Sequence, residues 1–353
     1  MTKNDQELIQ PLQKHKFDLI KLENWMISIN EKVKNIKALQ FQGGMSNPTF
    51  LIESEKKKYV LRKKPPGKLL PKAHAVDREF KVMSALEKTN IPVPKMISYC
   101  DNPEIIGSEF FLMEYIEGRI ISSPAMEGYS SSERRDVYIS LARTLANLHK
   151  VDYVSNGLQS FGRPEGYLKR QIKLWSEQFQ RSKEDLRVKV DFTKMDLLCE
   201  WLKKNSDVPD EVSIAHGDYR LGNTIISKEE PLVVAILDWE LSTIGHPLAD
   251  LGYFCIPFRY GLDKLKIDEL GIPSEEEFLE LYMHFSGRSS IDNWPLFLSF
   301  SFFRSAAIIF GVAARTLLGN VSTASSDVFE QVTRAEEMAS IGYKICLGNR
   351  SAD

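Results

Sequence analysis

The run His216-Gly217-Asp218-Tyr219-Arg220-Leu221-Gly222-Asn223, with Asp238-Trp239-Glu240 fifteen residues beyond Asn223, has the residue types of a phosphoryl-transfer centre. That chemistry asks little covalent help of a protein. It needs a base for the attacking hydroxyl and hard oxygen ligands that place Mg²⁺ on the β- and γ-phosphates of a nucleotide. Asp218 supplies an acid and Asn223 an amide oxygen from one turn, and Asp238 supplies a second carboxylate. Thr224-Ile225-Ile226 and Val233 to Leu237 have the composition of paired strands, which would bring Asn223 and Asp238 together. By itself His-Gly-Asp fits a turn closed by an aspartate side chain equally well. The whole set is far more demanding, because Asn and Asp must flank the hairpin at the right spacing.

The elements that must position these residues fall into two regions. Residues up to about 35 alternate charged and apolar positions and predict leading helical structure. Leu39 and Phe41, then Gly43 to Pro48, then Thr49 to Ile52 read as strand, glycine turn, strand, and Tyr59 to Arg62 as a third antiparallel strand. A helix is predicted from about Ala75 to Lys88, with Asp77 and Glu79 in its early turns, and a buried strand over Phe110 to Met113. Beyond residue 118 the pattern is mainly helical. Ser130-x-x-Glu133 signals a capping box ahead of an apolar stripe of Val137, Leu141, Leu145 and Leu148, and another amphipathic helix spans about Tyr167 to Arg181. The expectation is an α+β fold of two lobes: a small β-rich N-lobe over residues 1–118 and a larger, mainly helical C-lobe over residues 119–353, hinged near residues 114–118.

His-Gly-Asp-x-x-x-x-Asn followed by Asp-Trp-Glu resembles the aminoglycoside phosphotransferase and choline kinase branch of the protein-kinase-like fold. The resemblance implies that Asp218 is the catalytic base, that His216 orients its loop and that Asn223 and Asp238 are the magnesium ligands. It implies a structural role for Asp250 in Pro247-Leu248-Ala249-Asp250-Leu251. Gly43 to Pro48 stands where the phosphate-covering loop belongs, with Ser46 and Asn47 able to bond phosphate oxygens. Arg62 stands where kinases usually place a phosphate-contacting lysine, and Glu79 on the next helix is its natural partner. The bland alternatives are an ordinary hairpin turn and an exposed edge arginine. Glu114 to Ile116 would offer backbone groups to the adenine edge. The co-substrate implied is ATP with Mg²⁺, with GTP as the alternative.

A narrower likeness covers nearly the whole chain. Gly43-Gly44-Met45-Ser46-Asn47, Leu61-Arg62-Lys63-Lys64-Pro65-Pro66-Gly67, Phe161-Gly162-Arg163-Pro164 with Arg170, Gln171 and Trp175, and Ile244-Gly245-His246-Pro247 are similar to the kinase-like domain fused to acyl-CoA dehydrogenase family members 10 and 11. That relation implies a small-molecule hydroxyl acceptor such as a hydroxyacyl-CoA. Arg163, Tyr167, Arg170 and Trp175 are candidate acceptor contacts, since arginines suit an anionic phosphate or carboxylate better than a cationic aminoglycoside or choline. Each also reads as core or surface: Tyr167 and Trp175 as packing, the arginines as solvated. The alternatives are an aminoglycoside, choline or homoserine kinase, and a nucleotide-binding scaffold without turnover.

Bulk properties exclude little else. The 353 residues are 43% hydrophobic and 27% charged with a net charge of −2, which gives no basic surface for nucleic acid. Four scattered cysteines, Cys100, Cys199, Cys255 and Cys346, form no zinc pattern and fit a reducing compartment. The polar, acid-containing start predicts a cytoplasmic protein, with organellar import as the alternative. The apolar stretch Pro295 to Gly319 is interrupted by Arg304 and Arg315, so a buried helix is expected there rather than a membrane span.

Overall fold

The computed structural model describes residues 7–42, 47–65, 75–186, 190–318 and 327–348. Two compact units emerge. The first comprises Met1–Asn147, Val151–Phe161 and Leu221–Ser242, and the second Leu148–Lys150, Gly162–Arg220 and Thr243–Asp353.

In the first unit, strand β1 (Leu8–Ile9) pairs with β2 (Lys37–Phe41), and helix α1 (Leu19–Ser28) lies between them in the chain. The leading segment is therefore not wholly helical, as its alternating pattern had suggested; Leu8 and Ile9 find a free strand edge to pair with. Asp18 caps α1 by accepting from the backbone N–H groups of Ile20 and Lys21. Strands β3 (Thr49–Glu53) and β4 (Lys58–Lys63) continue the meander, followed by helix α2 (Val76–Leu86), β5 (Met96–Cys100), helix α3 (Pro103–Ile106) and β6 (Phe110–Glu114). The six strands form one antiparallel sheet in the order β1-β2-β3-β4-β6-β5.

Strand alternation sorts side chains between the two faces of this sheet. Phe50, Ile52, Tyr59, Leu61, Phe110 and Leu112 pack with Leu22 and Met26 of α1 into one core. Phe17 meets Phe50 edge-on at 5.0 Å, and Trp25 meets Phe110 at 4.7 Å. Lys63 follows the parity of Tyr59 and Leu61, and its ammonium bonds the carbonyl of Ile106. Arg62 has the opposite parity and turns to the other face, where α2 packs against β5 and β6.

Helix α4 (Ser131–His149) begins at the expected box: the Glu133 N–H donates to Ser130 Oγ, and the Ser130 N–H donates to Glu133 Oε2. Its Val137, Leu141, Leu145 and Leu148 are all fully buried. The first unit also contains the hairpin Thr224–Ile226 with Val233–Ile236, paired with Thr224 opposite Ile236. It is tied to the sheet side by a bridge between Arg119 and Ile226. Gly118 makes that approach possible, since a Cβ there would lie 2.7 Å from the Ile226 carbonyl oxygen.

The second unit is helical: α5 (Tyr167–Asp185), α6 (Thr193–Asn205), α7 (Pro247–Arg259), α8 (Ile267–Leu270), α9 (Glu275–Ser286), α10 (Trp294–Leu317) and α11 (Val328–Cys346). One antiparallel pair, Ser213–Ala215 with Thr243–Gly245, lies among them. Helix α10 is long and apolar enough to cross a bilayer, but it is wrapped by α5, α6, α7 and α11 and mostly buried, with Arg304 in its middle. It is the buried core helix that its sequence predicted.

Candidate active site

The second unit holds the His-Gly-Asp loop, which follows directly on the strand Ser213–Ala215. Two backbone N–H groups of the loop, His216 at 2.5 Å and Gly217 at 2.8 Å, donate to the Asp250 carboxylate in the first turn of α7. Asp250 is 1% exposed and also meets His149 Nε2 at 3.4 Å, while His149 Nδ1 contacts the Tyr282 hydroxyl at 2.8 Å. Burial by itself pushes the Asp250 carboxyl up. The hydrogen bond from His149, the nearby imidazoles and the Gly217 N–H outweigh it and hold Asp250 below the usual carboxylate range. Asp250 is thus an ionised peg from which the loop hangs, the structural role expected of it.

The rest of the loop is fixed just as tightly. Gly217 has φ 85°, a left-handed conformation that strains any residue with a Cβ. His216 is fully buried and its Nδ1 accepts the Asp218 backbone N–H at 3.1 Å, so the imidazole closes the turn that presents Asp218. The Asp218 carboxylate lies 3.5 Å from Arg220 Nε, with the Tyr253 hydroxyl of α7 beside it. Arg304 of α10 donates to the Gly217 carbonyl at 2.5 Å.

The first unit holds Asn223, Asp238 and the Arg62 cluster. Asn223 ends a single 3₁₀ turn, Leu221–Asn223, and its carbonyl takes the Leu237 N–H at 2.8 Å. The hairpin therefore joins Asn223 to the residue before Asp238, as the spacing predicted. Asp238 has φ 66° and ψ 59°, rare for a residue with a side chain. Trp239 behind it is fully buried and anchors the turn through Nε1 to the Ile236 carbonyl at 3.0 Å.

Arg62 is no exposed edge arginine: its side chain is 13% exposed and reaches three carboxylates. Its Nε lies 3.1 Å from Glu79 Oε2, and its Nη2 lies 2.5 Å from Asp238 Oδ1 and 3.7 Å from Glu240 Oε2. Glu79 also accepts from Asn47 Nδ2 at 2.8 Å. Glu79 shares the buried stripe of α2 with Val76, Met83 and Leu86, so helix periodicity aims it at the sheet face to which Arg62 turns. Burial pushes the Glu79 carboxyl up, and the charges of Asp238 and Glu240 push it further, against Arg62 and Asn47. Arg62 itself is held charged, because its three acidic neighbours outweigh the cost of burial.

One guanidinium against three carboxylates leaves an excess of negative charge, which suits a divalent cation. Asn223 and Asp238 offer the amide and carboxylate oxygens that magnesium takes, and magnesium sites need only one or two protein carboxylates besides phosphate and water. A larger cage of three or more His, Cys, Asp or Glu is absent among the described residues.

The remaining expected residues are placed as follows. Ser46 lies outside the described residues, as do Gly43 to Met45, Pro66 and Gly67. Glu114 ends β6, exposed, and Ile116 follows it, half-buried. Arg163 is exposed, and Arg170 turns back to donate to the Arg163 carbonyl at 2.5 Å. Tyr167 is 4% exposed and packs where a Cβ on Gly245 would lie 2.7 Å from its ring, which explains the glycine in Ile244-Gly245-His246-Pro247. Trp175 is half-buried, bonds Gln171 Oε1 at 3.1 Å and stacks near the Arg304 guanidinium, which links it to the Asp218 loop. Sequence reasoning missed Tyr253, Arg304 and His149. An arginine inside the most apolar stretch of the chain was the one signal that pointed to any of them.

A two-lobed kinase-like fold carrying this loop and hairpin defines a phosphotransferase. The chain belongs to the phosphotransferase enzyme family, whose model matches residues 37–293. It is 40% identical over 343 residues to human acyl-CoA dehydrogenase family member 11, covering 94% of this chain and 43% of that protein. The chain spans less than half the length of the curated relatives it matches. A solved structure from Ralstonia eutropha, provisionally called an aminoglycoside phosphotransferase, is 35% identical with a TM-score of 0.82 and covers 95% of this chain and 100% of its own. A choline kinase from Cryptosporidium parvum shares the fold at 16% identity and a TM-score of 0.65, over 94% of this chain and 98% of its own.

Proposed function

We propose that this protein is a MgATP-dependent kinase that phosphorylates a hydroxyl group of a small molecule, with a hydroxyacyl-CoA as the favoured acceptor. The observation that carries the reading is the Arg62–Glu79 ion pair with Asp238 beside it, matching the lysine–glutamate pair and the neighbouring metal-binding aspartate of a kinase. Asp218 accepts the proton as the acceptor O–H bond breaks and its oxygen bonds the γ-phosphorus, while the bond from that phosphorus to the ADP oxygen breaks. His216 and Asp250 keep Asp218 in place for this. Asn223 and Asp238 would hold magnesium, which when bound offsets charge on the β- and γ-phosphates. Arg62 turns its guanidinium from Asp238 towards those phosphates, and Glu79 keeps it in reach. Asn47 and Ser46 would bond phosphate oxygens, and the backbone of Glu114 to Ile116 the adenine edge.

The acyl-CoA acceptor rests on relatedness to proteins named as acyl-CoA dehydrogenases. The test is ATP consumption with Mg²⁺ across hydroxyacyl-CoAs, aminoglycosides and choline, with Asp218→Asn as the control. A hydroxyacyl-CoA should turn over, and Asp218→Asn should lose at least about 100-fold of kcat, the usual worth of a general base. Turnover surviving in that variant would sink the base assignment, and turnover of choline or an aminoglycoside alone would sink the acyl-CoA acceptor. A nucleotide-binding scaffold is the competing reading, in which the guanidinium stays on Asp238 and keeps a metal out. Nucleotide binding that ignores Mg²⁺ would decide for it.

A further inference from the structure

Arg304 is an anomaly in its surroundings. It is 5% exposed in the middle of α10, the longest apolar helix among the described residues, and no carboxylate pairs with it among those residues. Its Nε is buried without a hydrogen-bond partner. Burying a guanidinium without a counter-charge is expensive, and a leucine or methionine would fill the same space at lower cost. What Arg304 does make is specific. One Nη donates to the Gly217 carbonyl at 2.5 Å, and the guanidinium carbon lies 5.1 Å from the Tyr253 ring and 5.6 Å from the Trp175 ring. The cation is held by two aromatic faces and by the backbone of the residue that precedes Asp218.

Tyr253 completes the link. It lies one turn along α7 from Asp250, so a single helix places both the peg of the loop and a hydroxyl beside the Asp218 carboxylate. Its phenol is pushed up by burial first and then by the negative charge of Asp218. Tyr253 therefore stays protonated through the working pH range and acts on Asp218 only as a donor. Among the described residues, the charged and titratable groups facing this carboxylate include Arg220 and His216 from its own loop and Tyr253 from α7, with Arg304 of α10 against the preceding peptide.

We propose that Tyr253 and Arg304 are positioning residues for Asp218: Tyr253 fixes the carboxylate rotamer by its hydrogen bond, and Arg304 fixes Tyr253 and the Gly217 peptide while adding positive potential. This rests on the kinase reading, in which Asp218 takes the acceptor proton. Tyr253 occupies part of the carboxylate's acceptor capacity and so leaves a defined lone pair for the incoming hydroxyl.

The experiment compares Tyr253→Phe and Arg304→Met with the wild type, all as the full chain. The readout is MgATP turnover with the acceptor identified by screening, or with water as acceptor and ADP release if screening finds none. Each variant should lower kcat about tenfold while KM for MgATP stays within about twofold, as expected for a misplaced base with nucleotide binding intact. Tyr253→Phe removes one oxygen from a packed site, so its melting temperature and MgATP affinity serve as the check on folding. Wild-type kcat in Tyr253→Phe, or a loss carried by KM for MgATP with kcat unchanged, would overturn the proposal and leave the kinase reading standing. Absence of MgATP turnover in the wild type, with water as well as with every acceptor, would overturn both.

Discussion

Arg62 lies against the carboxylates of Glu79, Asp238 and Glu240, and with a side chain 13% exposed it is the cation on which Glu79 depends. Glu79 is 1% exposed, so removing the guanidinium leaves a buried carboxyl group with the Asn47 amide as its hydrogen-bond donor among the described residues. Arg62→Met should lower unfolding stability by about 3 kcal/mol, measured by urea titration near neutral pH. Adding Glu79→Met should recover much of that loss, since the cost comes from the stranded charge rather than from the missing pair. An unchanged urea midpoint in Arg62→Met would show that water reaches Glu79. Both residues were picked out in the sequence by the kinase resemblance, Arg62 at the third strand and Glu79 on the next helix; strand parity and the helical stripe are the physical reason that they meet. Tyr253 and Arg304 were not legible as partners of Asp218, because they lie 35 and 86 residues further along the chain. Nothing local to an aromatic or a cation on a buried helix says which loop it will meet.

At the scale of the element, helix α7 carries both Asp250 and Tyr253, so its first turn governs the Asp218 loop. That turn is capped by His246, whose Nδ1 accepts the Leu248 N–H at 3.2 Å while its ring packs on Phe297 at 4.3 Å. An accepting nitrogen must be unprotonated, and burial pushes His246 down to about 4, with Arg288 assisting and Glu211 and Asp210 opposing. In the unfolded chain the same imidazole takes its proton near 6.5. Between those two values the unfolded chain binds more protons, so stability falls as pH drops from about 6.5 towards 4, by up to about 3 kcal/mol. His246→Asn keeps an oxygen that can cap without titrating. Its stability, followed by denaturant unfolding across that pH range, should lack this part of the acid slope. A slope identical to the wild type would place the titration elsewhere. The histidine was quoted in the sequence only as part of a family run; its capping role follows from the helix that begins after it.

For the molecule as a whole, the residues of one motif are divided between the two units: Asp218 belongs to the second, Asn223 and Asp238 to the first. A ligand that binds only the folded chain stabilises it, by about 2.7 kcal/mol at a hundredfold excess over its dissociation constant. Thermal melting with ATP should rise further when Mg²⁺ is added, and Asp238→Ala should remove that increment. Equal shifts with and without Mg²⁺ would favour the scaffold over the kinase.

The local arrangement of His216 with Asp218, and of Asn223 with the residue before Asp238, was decided by sequence alone, because a short loop and a tight hairpin bring neighbours in the chain together whatever surrounds them. The sheet meander, α2 and the capping box of α4 were decided the same way, by periodicity and local hydrogen bonding. Tertiary structure decided what fixes those residues. Asp250 holding the loop backbone, Arg62 seated on Asp238, and Tyr253 with Arg304 beside Asp218 are all contacts between segments far apart in the chain. Such contacts depend on how the packed faces of helices and sheet meet, and no local pattern specifies that.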